Sequence, residues 1–189
     1  FRAAACTGAL YHIELYLVCR TIGELGEGVY HYDPIRSRLV SLREGDWRHL
    51  LTEAAAGNGM MAHSPATIVY TDIYWRNAIK YQARAYRHSF WDAGTILANT
   101  LAMANSMDLR ATLLMGFADN LVAELLGIDP SEELPLALLA LGVGEVPAEQ
   151  GDLDPGAIDL EWVPTTSGRR TFPMIPKIHQ ETGLPDADS

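Results

Sequence analysis

Lys80 and Tyr81 stand side by side, and that pair of side chains can move a proton. A lysine among other cations, or partly desolvated, loses basicity and becomes a usable base. An exposed lysine beside a packed tyrosine fits the spacing equally well. The neighbours supply cations: Arg76, Lys80, Arg84 and Arg87 recur at i, i+4, i+8 and i+11, roughly one face of a helix. Such a stripe repels itself, so a bound anion or acidic side chains from elsewhere would relieve it. A solvated, ion-paired face is the plainer alternative. Cys6, Thr7 and Gly8 form a small-residue turn through which backbone N–H groups could approach a planar ligand or an anion. Cys6 as a nucleophile would need a base, with His12 nearest in sequence, but no triad pattern supports that role.

Other chemistries find less support. The six histidines show no H-x-x-x-H or H-E-x-x-H spacing and there is no C-x-x-C, so no metal is expected. Asp152–Pro155 opens like a calcium loop but lacks the later ligands. The run Gly23–Gly28 has no phosphate-loop lysine, and its two glutamates would repel phosphate. No G-x-G-x-x-G follows a strand.

The elements that must position these residues can be read from periodicity. Residues 13–19 alternate as a strand, with Ile13, Leu15, Leu17 and Cys19 on one face. Residues 29–42 read as a hairpin and 46–56 as a short helix closed by the turn 57–59. Residues 66–71 form an apolar, β-branched buried strand. The longest helical stretch runs from about 75 to 107, as two helices meeting near 89–92, the second central and buried. A strand over 111–115, a helix over 118–126 stopped at Gly127, and a strand over 134–141 follow. This order is α+β rather than strictly alternating α/β. After residue 143 an acidic, Pro- and Gly-containing arm begins, expected to be mobile in part, and 171–184 is expected to dock as a short segment.

Composition narrows the class further. The chain has 189 residues, enough for one domain of about 1–143 with a core of its own and a tail over 144–189. A net charge of −10 disfavours nucleic-acid binding, which needs a basic face. No apolar run spans a membrane and no signal segment opens the chain, so a cytoplasmic protein is expected. Only Lys80 and Lys177 are lysines, against twelve arginines, and the first residue is Phe1, which suggests an N-terminally incomplete chain.

As a set, the segments CTGALYHIELYLV (6–18), GVYHYD (28–33), KYQARAYRHSFWDAGTILANTLAMA (80–104), LLMGFADNLVAELLGID (113–129) and LALLALG (136–142) resemble the SagB-type thiazole/oxazole-forming dehydrogenases of the FMN-dependent nitroreductase superfamily. The resemblance implies an α+β nitroreductase-like fold, a mixed central sheet flanked by helices around a long buried central helix. It also implies a homodimer with FMN at its interface. In azoline-oxidising members a Lys-Tyr pair serves proton transfer, and Lys80 and Tyr81 match it. The family's PSxGALYP turn against the flavin matches Ala5 to His12, placing Cys6, Thr7 and Gly8 at the cofactor; the G-F of a second flavin loop matches Gly116 and Phe117. Three positions depart: Pro-Ser is Ala5-Cys6, and the last proline is His12. The family's N-terminal Arg/Ser phosphate-binding segment has no counterpart after Phe1; Arg169 and Arg170 are an alternative phosphate contact. The implied activity is hydride transfer between flavin and a modified peptide or small molecule. The alternatives are an NAD(P)H-dependent nitroreductase acting on small electrophiles, or a non-catalytic partner subunit.

Overall fold

Alternating apolar residues in Ile13–Cys19 and a solidly apolar Leu134–Leu141 need cover on both faces, and the fold supplies it with helices. A computed structural model describes residues 3–158, 172–184 and 186. Six strands, β1 (Ile13–Cys19), β2 (Gly28–Asp33), β3 (Arg38–Glu44), β4 (Ala66–Asp72), β5 (Ala111–Leu114) and β6 (Leu134–Leu141), form one sheet in the order β3-β2-β1-β4-β6-β5. The helices are α1 (Arg48–Ala54), α2 (Gly59–His63), α3 (Trp75–Tyr81), α4 (Ala85–Ser106), α5 (Asp119–Leu126) and α6 (Met174–Thr182). Helix α2, started by the Asn58 side chain accepting from the Met60 amide, stands where only a turn was expected.

The sheet corrects the expectation of mixed pairing. All five ladders are antiparallel. The strand–helix–strand unit is present, since β4 and β5 run in the same direction, with Ala66 and Ala111 both opposite Leu141. Strand β6 lies between them and pairs antiparallel with each. Chain order shows a crossover; it does not show which later strand is inserted.

One core lies on each face. Tyr16, Val18 and Val29 pack with Leu50 and Leu51 of α1 and Val122 and Leu125 of α5. Ile13, Tyr70 and Leu139 pack with Ala78 of α3, Ala93 and Leu97 of α4 and Ile175 of α6. Each fully buried Leu or Val contributes roughly 1.5–3 kcal/mol relative to exposure.

The long helical stretch breaks at 82–84, not at 89–92. Gln82 adopts φ 52° and a 3₁₀ turn (Gln82–Arg84) joins α3 to α4. Helix α4 is 22 residues long, yet it is buried along one stripe only: Ala85, His88, Ser89, Asp92, Ala93, Leu97 and Ala104. Its opposite face leaves Trp91 53%, Met103 62% and Met107 67% exposed within the single chain. Apolar composition all round could not distinguish burial by one's own sheet from a face left open.

The described part of the acidic arm lies against the domain. Gly144 and Ala148 amides donate to the His63 and Ala62 carbonyls at 2.6 and 2.7 Å. His49 Nε2 donates to the Asp152 carbonyl at 2.8 Å, and the Arg43 guanidinium reaches the carbonyls of Pro155 and Gly156. The hydrogen bonds that hold the arm are made by its backbone amides and carbonyls. Gly127 closes α5 with φ 66°, and a Cβ there would meet Ile158 Cδ1 at 2.6 Å. Gly127→Ala is therefore expected to lower stability by about 1–2 kcal/mol, read as a shifted urea midpoint.

Among the described residues, no helix is long and apolar enough to cross a membrane.

Candidate active site

The segment that enters β1 is backbone-strained. Thr7–Ala9 form one 3₁₀ turn, and Gly8 (φ 68°), Ala9 (φ 55°) and Tyr11 (φ 48°) all take left-handed conformations. For non-glycine residues this costs roughly 1–3 kcal/mol each and persists only where the surroundings fix it. Here one carboxylate fixes it. Asp92 Oδ2 and Oδ1 accept from the Thr7 amide and hydroxyl, both at 2.8 Å, and Oδ2 also accepts from Cys6 Sγ at 3.3 Å. The Tyr11 amide donates to Cys6 Sγ at 3.1 Å.

His12 completes the arrangement from below. It is fully buried, with Nδ1 2.6 Å from Asp72 Oδ1 and Nε2 2.7 Å from Asp92 Oδ2. The Ser89 hydroxyl donates to the other oxygen of Asp72. Burial alone would lower the imidazole pKa, but Asp72, Cys6 and Asp92 outweigh it and push it up to about 10. At neutral pH the ring is an imidazolium clamped between two carboxylates. Burial raises the Asp92 pKa, and the hydrogen bonds from Thr7, His12 and Cys6 reverse that and hold it below the ordinary carboxylate value.

Helix α3 presses on the same turn from the other side. Asn77 Nδ2 donates to the Thr7 carbonyl at 3.1 Å, which leaves Asn77 Oδ1 to accept from His88 Nδ1 at 2.7 Å. Burial holds His88 below the usual imidazole pKa; Arg84 and His12 add to this and Asp92 opposes it. It is therefore neutral at pH 7, with its proton on Nδ1. Its ring meets Tyr81 edge-on, centroids 4.8 Å apart. A Cβ on Gly8 would stand 2.9 Å from Tyr81 Oη, so only glycine lets the turn pack on that hydroxyl. Lys80 Nζ lies 5.2 Å from the Tyr81 ring centroid.

The structure thus brings Lys80, Tyr81, Cys6, Thr7 and Gly8 together. It also shows that the side chains of Cys6 and Thr7 face Asp92. The 3₁₀ turn directs the Leu10 amide back towards the Thr7 carbonyl, and among the described residues the Gly8 amide has no acceptor. Gly116 and Phe117 are elsewhere in this chain: they leave the end of β5, separated from β1 by β6 and β4. Three strand spacings amount to about 14 Å. Gly116 is exposed with open space around it, whereas the Phe117 ring is in the core.

The basic stripe does not survive as one face, because of the break at Gln82. Arg76 is ion-paired with Glu14, which His31 also contacts at 3.0 Å. Burial would raise the Glu14 pKa, and His31 and Arg76 hold it low instead. Beside it, buried Glu133 accepts from Tyr16 at 2.9 Å and from Thr71, and burial pushes its pKa up. Lys80, Arg84 and Arg87 are exposed, with no ion pair among the described residues. Arg169 and Arg170 lie outside the described residues.

Sequence reasoning missed Asp72, Ser89, Asn77 and His88, and gave Asp92 no role. The D-x-G at 92–94 was a usable signal for Asp92, since it lies in the 80–104 segment that carries part of the resemblance. Asp72 carried none, lying at the end of an apolar strand.

The fold is an antiparallel six-stranded sheet flanked by helices, one of them 22 residues long. Residues 4–144 match the model of the nitroreductase family, and the chain belongs to that family, whose members are oxidoreductases. MJ1384 of Methanocaldococcus jannaschii, described as a nitroreductase, is 30% identical over 142 residues, covering 75% of this chain and 70% of that protein. The microcin B17-processing protein McbC of Escherichia coli is 28% identical over 141 residues, 71% of this chain and 52% of McbC. A crystal structure from Anabaena variabilis, also described as a nitroreductase, superposes with a TM-score of 0.79 at 30% identity, over 97% of this chain and 38% of that one. The chain thus spans little more than a third of the Anabaena protein and about half of McbC.

Proposed function

We propose that the chain is the flavin-binding part of an FMN-dependent oxidoreductase resembling the azoline-oxidising peptide dehydrogenases, with Lys80 and Tyr81 as its proton-transfer pair. The observation that carries this reading is the packing of Tyr81 Oη on the strained Gly8 turn, with Lys80 Nζ over the same ring. The relation to McbC, which processes microcin B17, favours a peptide-derived substrate over a small electrophile.

The residues present fit a flavin at the turn. The free Gly8 amide offers a donor to a planar ring system, and Gly116 offers exposed backbone that another ring edge could approach without a side chain in the way. Arg84 and Arg87, both exposed, offer positive charge to a phosphate or a peptide carboxylate. Bound FMN would supply two-electron hydride chemistry. Converting an azoline to an azole also releases a proton; in this reading the Tyr81 hydroxyl takes it while giving its own proton to Lys80 in the free-amine form, and the exposed lysine then releases it to solvent. Asp92 holds the turn so that neither group must reorganise.

A second copy fits the open face of α4. Phe90, Trp91, Met103 and Met107, continued by Leu113 and Met115 after it, are exposed apolar side chains that a second copy would cover. A homodimer through this face would let Gly116 of one copy serve the turn of the other. The same open face leaves room for the reading as a partner subunit, which gains from the commitment of Cys6 and Thr7 to Asp92.

Titrating the purified chain with FMN separates these readings. Saturable quenching of flavin fluorescence at one FMN per chain, by a species of dimeric mass, is the expected result. A folded dimer that binds no FMN would overturn the enzyme reading and leave the partner-subunit one.

A further inference from the structure

Two of the three places where the entry turn departs from the PSxGALYP pattern are residues 6 and 12. In the fold both departures meet on one carboxylate oxygen: Cys6 Sγ is 3.3 Å and His12 Nε2 is 2.7 Å from Asp92 Oδ2. A thiol and an imidazole are both transition-metal ligands, and the three donor atoms lie within 4.8 Å of one another. We propose that Cys6 Sγ, His12 Nε2 and Asp92 Oδ2 bind a divalent transition-metal ion of the Zn²⁺ type, stapling the turn that enters β1 to helix α4. The inference does not depend on the flavin reading.

The surroundings are those a metal site needs. A metal-bound imidazole usually donates its other N–H to a carboxylate, which fixes the ring and raises its basicity. His12 Nδ1 does so to Asp72 at 2.6 Å, and Ser89 holds Asp72 in turn. Asp92 is oriented by the Thr7 amide and hydroxyl, and the Tyr11 amide points at Cys6 Sγ, a donor that favours a thiolate. His12 and Asp92 are buried, whereas Cys6 is half-buried, so an ion would enter from the Cys6 side.

Charge balances as well. Without metal the cluster holds the Cys6 S–H and the His12 Nε2–H, both directed at Asp92. A divalent ion replaces these two protons by two ligand bonds, leaving the net charge of the buried cluster unchanged. Ligands about 2.0–2.3 Å from a tetrahedral ion stand roughly 3.3–3.8 Å apart, so the His12–Asp92 contact must open by more than half an ångström as its proton leaves. A mixed S, N, O set favours Zn²⁺ or Co²⁺ over Mg²⁺ or Ca²⁺.

Cobalt is the direct probe. The chelator-treated full chain is titrated with Co²⁺ while absorbance and proton release are followed. Expected are saturation at one ion per chain, a thiolate-to-cobalt charge-transfer band with tetrahedral visible bands, release of two protons per ion, and displacement by Zn²⁺. Cys6→Ser, at a half-exposed position, should abolish the charge-transfer band and weaken binding by at least about tenfold. Cys19→Ser should change neither, because Cys19 is buried and directed at the Gly26 carbonyl. No saturable binding, or a charge-transfer band that persists in Cys6→Ser, would overturn the site and leave the cluster as a hydrogen-bonded network.

Discussion

Replacing His12 with alanine is expected to cost about 3–5 kcal/mol of folding stability, the usual penalty for breaking a buried ion pair by removing one partner. The imidazolium is the only cation contacting Asp72 and Asp92 among the described residues, and all three side chains are buried. Without it, two carboxylates remain in a low-dielectric site with only Ser89, Thr7 and Cys6 to solvate them. Since domains of this size are stable by some 5–15 kcal/mol, the loss is a large share of the total. Urea unfolding followed by circular dichroism measures it, with Arg36→Ala as control. The exposed Arg36–Asp33 pair should contribute no more than about 1 kcal/mol. A loss below about 1 kcal/mol for His12→Ala would show that the cluster holds no buried ion pair.

The same cluster fixes a pH dependence in the metal-free chain. The His12 pKa is raised from 6.5 to about 10 on folding, so its stabilisation is fully present below pH 6.5 and is lost as pH rises through about 10. Stability of the native chain should therefore decline over that window, and His12→Ala should lack the decline. Asp92, held low in the folded state, contributes in the opposite sense, with stabilisation lost only as pH falls into the acid range.

Lys80→Ala is expected to lower azoline oxidation by about 10²–10⁴-fold, the range that a positioned acid–base group supplies. Lys80 is exposed, so the substitution should leave the urea midpoint and FMN binding essentially unchanged. Tyr81→Phe keeps the ring against His88 and Gly8 while deleting the hydroxyl, and a comparable fall in kcat would place the proton on Tyr81. A fall in Lys80→Ala alone would assign proton transfer to the amine and leave the tyrosine as packing. Unchanged kcat in both variants, with FMN bound, would remove the pair from the mechanism while leaving the flavin reading intact.

Strand and helix positions were legible because they depend on short-range periodicity. Strands β1 and β6 fall on the residues that the alternation at 13–19 and the apolar run at 134–141 indicate. The helix break was misplaced at 89–92 because Ser89 and Asp92 are polar residues in an apolar context. That polarity marks a buried hydrogen-bonded face, while the break itself depends on the left-handed Gln82.

By itself the sequence determined the α+β class, the element order, and the pairing of Lys80 with Tyr81, all set by residues within a few positions of one another. Only the tertiary structure decided that β6 inserts between β4 and β5, that Arg76 is taken up by Glu14, and that Cys6, His12, Asp72 and Asp92 form one buried cluster. The physical reason is separation along the chain. His12 meets carboxylates 60 and 80 residues away, and their charges and strain settle only when the sheet and α4 close around them.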